Sequence, residues 1–173
     1  MNASTCQFRR RGPWHSSEAV ELSFLGVAAI LEWRGPDLDA LRLPLVIAGP
    51  IAILLAGAAI GMVVAAKLAL RRHRQSSSPA RAPTALVTSG IFARTRNPIY
   101  VASIILLAAV ALVWTPWLLV LLPLAPAVFY LHLIRYEERL LASSFPDTYP
   151  LYASRVPRWW GRTTRGRAHW GVG

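Results

Sequence analysis

Two groups of polar residues flank a long uncharged run, and their types suit the binding of a polar ligand. Arg94, Arg96, Asn97 and Tyr100 stand before the run; Glu137, Glu138, Tyr149, Tyr152 and Arg155 stand after it. Carboxylates accept paired hydrogen bonds and favour cations, while guanidinium groups hold anionic ones. No Ser/His/Asp or Cys/His arrangement accompanies them, so covalent catalysis is not suggested. His15, His73, His132 and His169 are scattered without metal-ligand spacing, and the single Cys6 forms no internal disulfide. Each polar group also has an ordinary structural role. Arginines beside a span snorkel, interfacial tyrosines form a belt, and exposed Glu/Arg pairs contribute only about 0–1 kcal/mol.

The elements that must position these residues are apolar and long. Of 173 residues, 54% are hydrophobic and 16% charged, against about a quarter charged in soluble domains. Leu45 to Ala66 is 22 residues without a charge, and Ile99 to Ile134 is 36 residues interrupted only by the titratable His132. Uncharged runs of about 18 residues or more read as membrane spans. The second would reach roughly 54 Å as one helix, too long for a single crossing, so it must turn back. "WTPW" (Trp114 to Trp117) supplies the turn: Thr-Pro breaks a helix and the tryptophans suit the far interface. The expected spans are therefore 45–66, 99–114 and 117–135. Pro123 and Pro126 predict a kink in the return arm.

Charge placement sets orientation. Lys67, Arg71, Arg72, Arg74 and Arg81 follow the first run, and Arg135, Arg139, Arg155, Arg158, Arg162, Arg165 and Arg167 follow the second. Lys/Arg excess beside span ends marks the cytoplasmic side, so the net charge of +11 reads as a topology signal rather than a nucleic-acid footprint. A weaker segment, Ser17 to Trp33, carries Glu18, Glu21 and Glu32 around an uncharged core from Leu22 to Leu31. It suits either an interfacial helix or a first crossing, and the charge rule favours crossing. Residues 1–16 read as a disordered basic tail, 136–162 as a cytoplasmic C-terminal region ending in irregular chain, and 163–173 as a tail. Gly57 and Gly61 form a GxxxG pair in line with Gly49 and Ala65, a face suited to close packing of another helix, most simply one of the same chain.

The hairpin brings the two polar groups together, because antiparallel arms place residue 98 near residue 136. "LVTSGIFARTRNPIY" (Leu86 to Tyr100), a hairpin, and then "EERLLASSFPDTYPLYASRVPRW" (Glu137 to Trp159) resemble the isoprenylcysteine carboxyl methyltransferase and phospholipid methyltransferase family. The shared pattern runs from Leu-Val-x-x-Gly through Arg-Asn/His-Pro-x-Tyr and Glu-Glu-x-x-Leu to Val-Pro-Arg. It covers roughly Leu86 to Trp160, in order. Pro146 stands where the family usually has glycine, and Asn97 where eukaryotic carboxyl methyltransferases have histidine.

The resemblance implies an all-α integral membrane protein of about four transmembrane helices, with a cytoplasmic cofactor pocket formed by loop and C-terminal helix. It implies S-adenosylmethionine as cofactor, bound without a Rossmann fold, and a lipophilic or membrane-embedded acceptor. By the same resemblance, the backbone near Leu86, Val87 and Gly90 wraps the cofactor, Arg96, Asn97 and Tyr100 form the pocket floor, and Glu137 and Glu138 bind its hydroxyls or amino group. Arg155 would hold a carboxylate or thiolate acceptor; Glu138 or a tyrosine such as Tyr152 would take the proton of an amine. Two rivals remain at the level of sequence. One is a sterol-reductase-type enzyme using a nicotinamide cofactor, and the other a basic membrane protein that binds anionic lipid.

Overall fold

The computed structural model describes residues 17–34, 43–73, 85–114 and 118–161. The expected tails, the loop after His73 and the Thr115–Trp117 turn lie outside them. Every regular element described is helical: α1 (Ser17–Arg34), α2 (Leu45–Arg72), a short 3-10 turn (Gly90–Ala93), α3 (Pro98–Trp114), α4 (Leu118–Ser144) and α5 (Tyr149–Arg155).

Helix α2 follows Pro44, whose carbonyl accepts the amides of Ile47 and Ala48 at 2.8 and 3.0 Å. At 28 residues it is about 42 Å long, continuing past the uncharged run to end on Arg71 and Arg72. It is the one described helix long and apolar enough to cross a membrane, with mean hydropathy 2.3 over its most apolar window. Its outer side chains are bare: Val46, Ile53 and Leu54 are 80%, 74% and 73% exposed. An apolar surface of that extent needs a cover, and lipid is the cover its length fits.

The inward face of α2 corrects the glycine expectation. Ala48, Ala52, Ala59 and Ala66 are the buried residues, and α2 lies against α3, whose Ala102 and Ala109 are also buried. Gly57 and Gly61 are exposed, with open space where a Cβ would stand. Close approach is made by these alanines rather than by the glycine row. Methyl groups already permit tight helix packing.

Helices α3 and α4 form the antiparallel hairpin. Tyr100, near the start of α3, meets Tyr130 and Glu137 in the second half of α4. Pro123 and Pro126 sit inside α4 without ending it, and Pro126 is fully buried. Helix α1 lies in the same bundle. Glu21, Phe24, Leu25 and Ala28 form a stripe at helical spacing that meets α3 and α4. Glu21 reaches Ser103, and Ala28 packs with Leu107 and Ala111. Residue number rises together on both helices, so α1 runs parallel to α3.

Beyond α4, the amides of Phe145 and Tyr149 bond back to the carbonyls of Leu141 and Phe145, both at 2.9 Å. The turn therefore leads directly into α5, where irregular chain was expected. Pro150 falls in the first turn of α5, where its missing N–H costs nothing. Tyr149, Tyr152 and Val156 pack with Leu86, Leu141 and Phe145, joining the loop before α3 to the end of α4.

Candidate active site

The loop preceding α3 and the segment following α5 are bound together by three hydrogen bonds, with a fourth inside the loop. Thr95 Oγ1 donates to the Arg158 carbonyl at 3.2 Å, and Asn97 Nδ2 donates to the same oxygen at 3.0 Å. The Arg96 amide donates to the Pro157 carbonyl at 3.1 Å. The Asn97 amide donates to Thr95 Oγ1, also at 3.1 Å. Thr95 has no exposed surface and Asn97 only 8%, so these bonds are shielded from water. Asn97 also starts α3, its carbonyl accepting the Val101 amide, with Pro98 as the first helical residue.

That stitching fixes Arg96. Its Nη1 lies 3.0 Å from Glu138 Oε1 and donates to the Tyr149 hydroxyl at 3.2 Å. Its Nε is buried and has no hydrogen-bond partner among the described residues. A buried guanidinium N–H without an acceptor is costly. Arg158 approaches Glu138 in a two-pronged pair, Nε to Oε1 at 3.0 Å and Nη2 to Oε2 at 2.5 Å. Glu138 is thus held between two arginines. Its hydrogen bond is the main reason the Arg158 guanidinium is pushed above its ordinary range, and burial opposes that shift.

Glu137, the next residue on α4, serves a different network. Its Oε1 accepts the Tyr100 hydroxyl at 2.7 Å. Successive helical residues point about 100° apart, so the pair of glutamates addresses two faces at once. Tyr152 donates to the Phe92 carbonyl at 2.7 Å, fastening α5 to the 3-10 turn. Burial pushes its hydroxyl pKa up, leaving it a neutral donor. Tyr149 is raised first by burial and then by the Glu138 charge, with Arg96 opposing.

Gly90 opens the 3-10 turn at φ 64°, in the left-handed region that favours glycine. No atom lies within 4 Å of the position its Cβ would take, so the requirement is conformational. Val87 is buried and Leu86 packs against the α5 cluster. The structure therefore gathers Leu86, Val87, Gly90, Arg96, Asn97, Tyr100, Glu137, Glu138 and Tyr152 around one junction. Arg155 stands in the last turn of α5 with an exposed side chain, and Arg94 is exposed as well. The arginine that reaches Glu138 is Arg158, which the sequence carries in its Val-Pro-Arg motif. Thr95 has only its position beside the Arg-Asn-Pro signal to mark it.

The donor set suits a zwitterionic ligand with hydroxyl groups. Two carboxylates face hydroxyl or ammonium donors, and an unsatisfied guanidinium N–H calls for an acceptor such as a carboxylate. S-adenosylmethionine carries all of these groups, so the residues present fit it.

Among the described residues, an all-helical bundle with one helix long and apolar enough to cross a membrane and a polar junction at one end points to the class of membrane-associated helical proteins. The chain belongs to the phospholipid methyltransferase family, whose model matches residues 47–148. It is also similar to the cobalt-zinc-cadmium resistance protein CzcN of Cupriavidus metallidurans, at 38% identity over 90 residues. That match covers 50% of this chain and 41% of the relative, so the chain spans less than half the length of the curated protein it matches. No solved structure matches it.

Proposed function

We infer that this chain is a multi-pass membrane methyltransferase that uses S-adenosylmethionine to methylate a lipophilic acceptor at the cytoplasmic face. The observation that carries the reading is Arg96, whose buried Nε lacks a partner among the described residues beside the Glu137–Glu138 pair, within a family of methyltransferases. The hairpin of α3 and α4, the parallel course of α1 beside α3, and the basic residues after α2 and α4 support a bundle of four crossings.

In this reading the backbone of Leu86, Val87 and Gly90 borders the cofactor, Asn97 and Tyr100 shape the floor, and Arg96 donates Nε–H to its carboxylate. Glu137 and Glu138 accept its hydroxyl or ammonium protons. When bound, S-adenosylmethionine supplies a methyl group on a cationic sulfur, a leaving group that requires no protein nucleophile. The residues therefore contribute alignment and exclusion of water rather than covalent chemistry. Tyr152 holds the 3-10 turn against α5 and so positions Gly90. Arg155, exposed beside the site, is placed to attract an anionic acceptor or an anionic bilayer surface.

The test is label transfer from methyl-labelled S-adenosylmethionine to bilayer lipids by the purified chain. Labelled lipid is expected from the wild type, with a loss of about 100-fold or more in Glu137→Gln, since misalignment at the reacting centre is costly. Label that never leaves the donor, in folded protein supplied with amine, carboxylate and thiol lipids, would overturn the reading.

A further inference from the structure

The outer face of α4 takes no part in the junction. Leu124, Val128, His132, Arg135 and Arg139 are all exposed and follow one another at spacings of four, four, three and four residues. At about 100° per residue they fall within about 80° of the helix circumference, a single stripe. Tyr130, Ile134 and Glu137 stand two residues on from Val128, His132 and Arg135, and so about 200° round the helix. Tyr130 and Ile134 are fully buried, and Glu137 receives Tyr100 at the polar junction. The stripe therefore faces away from the bundle and from the site.

Its chemistry changes along its length. Leu124 and Val128, 56% and 58% exposed, lie toward the hairpin turn, and the nitrogen-bearing side chains lie toward the polar end. The helix rises about 12 Å from Leu124 to His132 and about 10 Å from His132 to Arg139. Arg96 and Arg158 take Glu138, and neither Arg135 nor Arg139 has an ion pair among the described residues. Arg139 Nε donates to the Arg135 carbonyl at 3.1 Å, which lays its guanidinium back toward Arg135 and the apolar half of the stripe. His132 falls inside the uncharged run. Ionisable side chains in such runs nearly always face the bundle interior, and this one faces out. An N–H donor at that depth needs an acceptor, and no protein group covers this face to provide one among the described residues.

We propose that the outer face of α4 binds one anionic phospholipid, its acyl chain along Leu124 and Val128 and its phosphate held by His132, Arg135 and Arg139. The site is separate from the methyltransferase site and does not depend on that reading. An occupant must be apolar at one end and anionic at the other, in line along a single helix face. An acidic peptide in water meets the second condition and not the first. A zwitterionic lipid meets the first, but its own ammonium group brings a further cation beside two arginines, which discriminates against it. The two guanidinium groups supply forked donors for phosphate oxygens, and His132 supplies an N–H whether its ring is neutral or charged.

Native mass spectrometry of the full chain, released from detergent micelles and titrated with phosphatidylglycerol or phosphatidylcholine of matched acyl chains, tests this. The wild type is expected to hold one phosphatidylglycerol about 10-fold more tightly than phosphatidylcholine, from two arginines each contributing about 5-fold at most. Arg135→Gln with Arg139→Gln should erase that preference. Arg71→Gln with Arg72→Gln removes the same charge from the end of α2 and should keep it. Loss of the preference in both double variants would assign it to net charge and overturn the proposal. A wild type without preference would overturn it as well. Glycerol phosphate that displaces the lipid at equal concentration would also overturn it, since a site for the headgroup alone makes no use of the apolar half. If the α4 double variant does not fold, Arg139→Gln alone should weaken phosphatidylglycerol binding about 3- to 5-fold, and unchanged binding would overturn the proposal.

Discussion

The hydroxyl of Tyr100 donates to Glu137 Oε1 at 2.7 Å, joining the start of α3 to α4 across 37 residues of chain. That bond sets the register of the hairpin at its polar end and aims one carboxylate of the Glu-Glu pair. Removing the hydroxyl alone should therefore separate aim from charge. Tyr100→Phe is expected to cost about 1.5–3 kcal/mol of stability, the value of a hydrogen bond to a charged group. Donor affinity should fall, since Glu137 loses the bond that aims it. Unfolding in denaturing detergent, beside donor titration, checks both.

Glu138 sits between Arg96 and Arg158. Glu138→Ala leaves two guanidinium groups facing each other, and about 2–3 kcal/mol of destabilisation is expected, short of a fully buried pair because Arg158 is one-third exposed. Adding Arg158→Leu should restore part of that loss, since it removes the repulsion. A double-mutant cycle over the two positions measures the coupling.

The segment after α5 is latched by Thr95 and Asn97 onto a single carbonyl of Arg158. Asn97→Ala and Thr95→Val should each loosen it by about 1 kcal/mol, or roughly 5-fold in local opening. Amide hydrogen exchange at Trp159 and Trp160 should speed up accordingly, with little change in α3. Equal acceleration in both regions would mean that these side chains hold the fold as a whole.

Alkaline pH gives a further check. Burial raises the Tyr152 hydroxyl above its ordinary value near 10, so the folded state keeps a proton that the unfolded chain loses. Its contribution to stability is complete below about pH 10 and declines as pH rises through the folded value. Wild-type stability should fall more steeply above pH 10 than that of Tyr152→Phe, as measured by melting between pH 9 and 11.

How far the sequence discloses this arrangement depends on the kind of signal. The α3–α4 hairpin was legible because a 36-residue uncharged run cannot cross once, and Glu137 and Tyr100 followed from antiparallel pairing. The burial of α1 was not legible. Its face of Glu21, Phe24, Leu25 and Ala28 has meaning only once α3 and α4 supply Ser103, Tyr130 and Leu107 opposite it. Arg155 and Arg158 are three residues apart, and only the first was counted in the polar group. The end of α5 at Arg155 turns the chain so that the second reaches Glu138. The glycine row on α2 drew attention by residue type, whereas packing used the neighbouring alanines. Small side chains of either kind permit close approach, so composition could not choose between the faces.

The central claim is that the junction of Arg96, Glu137 and Glu138 binds a methyl donor. Calorimetric titration of S-adenosylmethionine into the detergent-purified chain tests it most directly, with Glu137→Gln and a nicotinamide cofactor run in parallel. Micromolar binding to the wild type, lost in Glu137→Gln and absent for the nicotinamide, is the expected result. Binding of the nicotinamide alone, or of neither ligand by a folded sample, would contradict it.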